Sequence, residues 1–146
     1  MSRPALVRLL FVCIGNSCRS PMAEAFANYL GAGLVEASSA GLFPAPVVQP
    51  LTLEAMAERD VPVENKPPRS VLYVDWASFD LVVNMSQMAL GGVMLRFTGR
   101  EINWEVHDPI GFGIEVYREV RDQIEHLVTD LIEELRQDIS AADARR

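Results

Sequence analysis

Cysteine and histidine are scarce in this chain of 146 residues: there are two of each. Cys13 and Cys18, five positions apart, do not make a disulfide framework and fit a reducing compartment. His107 and His126 lie far from them in sequence, so a four-ligand zinc site has little support and no metal is expected. No apolar run reaches the roughly 18 residues of a membrane span. The opening Met1-Ser2-Arg3-Pro4 precedes an apolar stretch, as in a signal peptide. Cys13 and Gly15 interrupt that stretch, however, and no small-x-small cleavage site follows, so a cytoplasmic protein is expected. Cations are outnumbered, with 13 Lys and Arg against 20 Asp and Glu, giving a net charge of −7. That balance argues against nucleic acid and acidic membranes as partners. Repeats, low-complexity segments and a second domain are also lacking. Residues 1–146 therefore read as one domain, large enough to bury a core. Apolar residues make up 49% and charged residues 23%, the proportions of a globular protein.

What is present is an alternation of strand-like and helical segments. Val7 to Cys13 reads as a buried strand. Pro21 to Leu30 reads as a helix ending at Gly31 or Gly33. Leu34 to Ser39 is a second strand, stopped at Gly41. Three prolines make Leu42 to Pro50 a loop. Leu51 to Arg59 is helical, with Thr52 as a candidate cap. Ser70 to Trp76 fits either a short helix or extended chain. Phe79 to Met85 is the third strand and Ile102 to Val106 the fourth. From Ile114, apolar residues recur through Tyr117, Val120, Ile124, Val128, Leu131 and Leu135 at helical spacing. They describe an amphipathic helix of about six turns, its acidic residues on a solvated face. Strands alternating with helices imply a parallel sheet wound on both faces, with ligands at the C-terminal strand ends.

Cys13 stands at such an end. Cys13-Ile14-Gly15-Asn16-Ser17-Cys18-Arg19-Ser20-Pro21-Met22 leads from a strand into a helix, where loop amides and a helix N-terminus make an anion site. These groups and Arg19 favour a thiolate over a thiol. Gly15 lets the backbone approach the ligand, and Asn16 tolerates a left-handed conformation. Arg19 offers a fork that matches two oxygens of a tetrahedral anion. Ser20 is placed to hydrogen-bond the sulfur. A lone cysteine at a strand end is ordinarily a small core residue; Gly, Asn, Arg and Ser at these offsets make Cys13 a nucleophile instead.

Val12 to Pro21 resembles the signature of low-molecular-weight protein tyrosine phosphatases, and the thiol-dependent arsenate reductases that share their fold carry nearly the same loop. The resemblance extends to Ser39-Ala40-Gly41, the Phe79–Met85 strand and Asp108-Pro109. It implies a three-layer α/β/α, flavodoxin-like fold with a four-stranded parallel sheet of order 2-1-3-4. It also implies a two-step phosphatase mechanism. In it Cys13 attacks phosphorus, while Arg19 and the loop of Ile14, Gly15, Asn16, Ser17, Cys18 and Ser20 hold the phosphate. Asp108 protonates the leaving oxygen and then activates water to hydrolyse a phosphocysteine. No cofactor is implied. The expected partner is a phosphotyrosine protein or small aryl phosphate, with phosphate- and arsenate-type oxyanions as ligands; the oligomeric state is left open.

The chain departs from the family pattern in places. Ile110 and Gly111 follow Asp108-Pro109 where eukaryotic-type members carry two tyrosines. Met85-Ser86 replaces a common Met-Asp pair. Phe43 stands where a cleft-wall aromatic is usual, and either wall or packing suits it. The alternative activity is arsenate reduction. Ser86 to Val93 holds none of the relay cysteines of thioredoxin-coupled reductases, so an external thiol would complete that cycle. A third reading is a non-catalytic oxyanion-binding module. Cys18 stays open between a backup thiol, a packing residue and, last, a metal ligand. His107 either tunes Asp108 or is a surface residue.

Overall fold

The computed structural model describes residues 6–145. Its elements are β1 (Val7–Cys13), α1 (Arg19–Leu30), β2 (Val35–Gly41), α2 (Pro50–Ala57), β3 (Leu81–Asn84), β4 (Arg100–Asn103) and α3 (Ile114–Ala144). Single 3₁₀ turns at Val71–Tyr73 and Trp76–Ser78 lie between α2 and β3. The four strands are parallel in the order β2-β1-β3-β4, as expected.

Strand periodicity splits the core in two. Leu9, Phe11, Leu81 and Val83 face one way and meet Met22 and Phe26 of α1, Met56 of α2 and the apolar stripe of α3. Leu10, Val12 and Val82 face the other way and meet Val71, Val74, Trp76, Phe79 and Leu90. All three α-helices thus serve one face. The second outer layer is built from the 3₁₀ turns and the loop that follows β3.

Several boundaries differ from the sequence expectation. Helix α1 starts at Arg19, two residues before Pro21, with Cys18 as its N-cap. Strand β2 runs through Gly41 rather than ending at Ser39. Helix α2 begins at Pro50 with Gln49 as N-cap, so Thr52 is not a cap; its hydroxyl donates to the Ser17 carbonyl at 2.9 Å. The ambiguous segment at 70–76 is 3₁₀ rather than α-helical. Strand β4 lies earlier than Ile102–Val106, because the Val106 carbonyl accepts from Arg19 and leaves the sheet. Helix α3 has 31 residues, about eight and a half turns rather than six. Beyond Leu135 the apolar stripe ends, but good helix formers carry the helix on.

At the far end of α2, Glu58 accepts from both Arg118 and Arg121 of α3. Hydrogen bonds from Arg118, then Arg121, hold its carboxyl well below its ordinary value of 4.5, at about 2. A depressed carboxylate stabilises the fold above its unfolded value and loses that contribution as pH falls toward its folded value. Glu58→Gln is therefore expected to lower the melting temperature at neutral pH and to flatten its decline between pH 4.5 and about 2. Parallel melting curves for the two proteins across that window would remove this role.

Candidate active site

Strand β1 delivers Cys13 to the C-terminal edge of the sheet, and α1 starts six residues later. The turn between them is possible because Asn16 takes a left-handed φ of 51°. Gly15 does not have a positive φ; a Cβ there would sit 3.2 Å from Ser17 Oγ, so its smallness serves close packing. The loop carbonyls point away from the cleft and are tied down. Leu42, Phe43, Ala45 and Gln49 donate their N–H groups to the carbonyls of Cys13, Ile14, Gly15 and Ser17 at 2.8–3.1 Å. Among the described residues, no acceptor takes the N–H groups of residues 15 to 18. Carbonyls out and amides in is the polarity of an anion nest.

Gly41 sets how closely β2 approaches this loop. A Cβ there would lie 2.8 Å from both Asn16 N and Ile14 O, backbone atoms that cannot swing aside. Gly41→Ala is expected to displace the loop and weaken phosphate binding at least tenfold, read by isothermal titration with inorganic phosphate. Unchanged affinity would mean that the loop adjusts freely.

Arg19 is 3% exposed. Its Nη1 donates to the Met85 and Val106 carbonyls, anchoring the guanidinium between the segments that follow β3 and β4. Nη2 lies 3.5 Å from Asp108 Oδ2. Nε is buried and has no partner within the protein. A buried cationic donor left open is costly unless an acceptor arrives, and an oxyanion in the loop is such an acceptor. Two backbone carbonyls hold the arginine here, so Ser86 in place of a carboxylate leaves it positioned; Ser86 instead donates to Asn84.

Cys13 Sγ is 2.9 Å from Ser20 Oγ. A cleft of about 170 Å³ opens over it, lined by the loop, Arg19, Phe43, Asp108 and Ile110. Asp108 is partly exposed, and its Oδ1 accepts from Ile110 N at 3.1 Å. It also borders a second groove of about 450 Å³, shared with Ser86, Gln87 and Glu105. The structure thus brings together Cys13, Arg19, Ser20 and Asp108. Phe43 is 66% exposed and stands on the cleft wall rather than packing under the proline loop. His107 is exposed and meets the Phe112 ring edge-on at 5.2 Å.

Cys18 is buried, its sulfur 3.6 Å from the Tyr117 hydroxyl. Burial pushes its thiol up, and burial likewise pushes the Tyr117 phenol up. Both groups are neutral at physiological pH, which favours packing over reactivity for Cys18. Among the described residues no group of three His, Cys, Asp or Glu is placed to hold a metal. Sequence reasoning missed Tyr117 as a partner of the loop, along with Glu24 and Lys66 behind it. Tyr117 reads as one more core position of the α3 stripe, and its hydroxyl leaves no periodic signal.

Known proteins share the family and the fold of this chain. A family model described as low molecular weight phosphotyrosine protein phosphatase matches residues 8–141. A glutaredoxin arsenate reductase of Synechocystis sp. is 34% identical, over 86% of this chain and 95% of that protein. A protein-arginine-phosphatase of Geobacillus stearothermophilus is 32% identical, over 88% and 95%. Among solved structures, an arsenate reductase in the phosphate binding state superposes with a TM-score of 0.80 at 31% identity, covering 89% of this chain and 99% of that one. A mutant of the YwlE arginine phosphatase with a phosphorylated active site serine gives 0.77 at 28% identity, covering 90% and 97%.

Proposed function

The chain belongs to the low molecular weight phosphotyrosine protein phosphatase family, and from that premise we propose that it is a phosphomonoester hydrolase working through a phosphocysteine on Cys13. The observation that carries this reading is the buried Arg19, anchored by Nη1, facing Asp108 through Nη2 and holding an open Nε beside the loop that carries Cys13.

The reaction runs in two displacements. The Cys13 thiolate attacks phosphorus in line; the S–P bond forms as the bond from phosphorus to the leaving oxygen breaks. The amides of residues 14 to 18 and Arg19 bind the equatorial oxygens, whose charge spreads in the transition state. Asp108 gives its proton to the leaving oxygen. It then takes a proton from water, which attacks phosphorus; the S–P bond breaks and inorganic phosphate leaves. Ser20 donates to the sulfur and makes it a better leaving group in this second step. A YwlE mutant with a phosphorylated active site serine, similar to this chain in fold, supports phosphoryl transfer to an active-site side chain. Phe43 and Ile110 form an apolar wall for the organic part of the substrate, a phosphoprotein side chain or small aryl phosphate. The two free thiols suit a reducing, cytoplasmic setting.

The likeness to arsenate reductases supports a second reading, in which Cys13 attacks arsenate and an external thiol completes reduction. The chain has no cysteine beyond Cys13 and Cys18 to relay electrons from the β3 side. The deciding experiment runs p-nitrophenyl phosphate hydrolysis beside arsenate reduction with added glutathione. Robust hydrolysis with slow arsenate turnover is expected. Background hydrolysis with thiol-dependent arsenate turnover would replace the phosphatase reading with the second.

A further inference from the structure

The sheet is covered unevenly. All three α-helices pack on one face, and the other carries only the 3₁₀ turns Val71–Tyr73 and Trp76–Ser78 and the loop after β3. Parallel sheets bury both faces, so a layer this thin leaves apolar side chains outside it. The three most exposed large apolar residues of the described chain all stand there: Tyr73 at 82%, Leu72 at 78% and Leu95 at 73%. Leu72 and Leu95 border one hollow of about 350 Å³, with Val71 and Trp76 of the second core at its base. Tyr73 follows Leu72 on the same 3₁₀ turn. An apolar patch with both projections and a recess marks a surface that another protein covers.

Two charges line the same hollow, Asp75 and Arg96. Both are exposed. Among the described residues neither has an ion-pair partner. The chain as a whole carries −7, so two copies repel over most of their surfaces. The hollow, with one charge of each sign, is neutral.

These features choose the occupant. In a two-fold dimer the same patch meets itself, so that residue i touches j while j touches i. A surface with projections and a recess, and with an acid and a base, is complementary to its own copy. A partner of one charge sign would instead set Asp75 or Arg96 against a like charge. We propose that this face is the interface of a two-fold dimer. Leu72 and Leu95 of each copy cover the hollow of the other, and Asp75 of each copy pairs with Arg96 of the other. The hollow shares no lining residue with the cleft over Cys13, so the inference stands apart from the proposed activity.

Sedimentation velocity of the full chain, from about 1 μM to about 1 mM, tests it. The expected result is a concentration-dependent rise to twice the mass of a single chain. Leu95→Glu should raise the dissociation constant at least about tenfold, because it buries an unpaired carboxylate in the interface. Asp75→Arg and Arg96→Asp each set like charges across the two-fold axis and should each weaken self-association by about tenfold or more. All three side chains are exposed, and the left-handed φ of 63° at Arg96 is one that Asp accepts. Melting temperatures at about 1 μM, where mass action favours single chains, should therefore match the parent's.

Mixed in equal amounts, the Asp75→Arg and Arg96→Asp chains should bind each other more tightly than either binds itself. One copy then presents two cations and the other two anions, and native mass spectrometry resolves the mixed dimer by its mass. A chain that keeps the single-chain mass up to about 1 mM overturns the proposal and gives the hollow to a different protein. A dimer indifferent to Leu95→Glu and to both charge reversals has its interface elsewhere and also overturns it. Reversed chains that associate no better together than apart would exclude the two-fold pairing of Asp75 with Arg96.

Discussion

Cys13→Ser is expected to lower turnover of p-nitrophenyl phosphate by about four orders of magnitude or more, the scale on which removal of a nucleophile is felt. A serine hydroxyl is a far weaker nucleophile than a thiolate, and its ester with phosphate is a far poorer leaving group for the second displacement. Affinity for inorganic phosphate should survive. The loop amides, the buried Arg19 and its carbonyl anchors do not involve the Cys13 sulfur, and the thiolate's repulsion of a bound anion disappears. Titration calorimetry with phosphate and steady-state rates on the same preparation check both halves. A variant within about tenfold of the parent's kcat/KM would remove Cys13 as the attacking group.

Asp108→Ala carries the second large effect, and its signature depends on the leaving group. Phenolate departs slowly without a proton, so kcat/KM for phenyl phosphate should fall about 10²–10⁴-fold. Dinitrophenolate needs no proton, so kcat/KM for dinitrophenyl phosphate should fall by much less. On the proposed mechanism kcat/KM reports transfer to Cys13, whereas kcat would also contain hydrolysis of the intermediate, where Asp108 would work as a base on every substrate. The fold should tolerate the change, since Asp108 is partly exposed and its contact with Arg19 is a long 3.5 Å. Equal losses on the two substrates would exclude Asp108 as the proton donor.

Much of this site was legible in the sequence for physical reasons. An apolar run that stops at Cys13-Ile14-Gly15 marks the end of a buried strand, and β1 occupies Val7–Cys13 as read. Asn16 was read as a residue that tolerates a left-handed backbone, and it has one. The α3 stripe buries Tyr117, Val120, Ile124, Val128 and Leu131 because helical spacing survives translation into packing. Strand β4 was harder. Arg100–Asn103 is a mostly exposed edge strand whose place is set by pairing with Leu81–Asn84, not by any apolar alternation of its own. The anchoring of Arg19 was invisible as well, because its partners are backbone carbonyls, which every residue carries. Glu24, Ser39 and Lys66 come from three separated segments, and only the folded chain brings them together. Phe43 was undecided between wall and packing because a loop with three prolines has no period to say which way a ring faces.

The most direct measurement is rapid acid quench of Asp108→Ala during turnover of dinitrophenyl phosphate, followed by mass spectrometry of the peptide that contains Cys13. On the proposed mechanism, transfer to Cys13 should stay fast with this leaving group, while hydrolysis of the intermediate should lack its base. The Cys13 peptide should therefore carry one added phosphoryl group, and Cys13→Ala should carry none. Release of dinitrophenolate with no phosphoryl group on Cys13, or with one on another residue, would contradict a phosphocysteine mechanism.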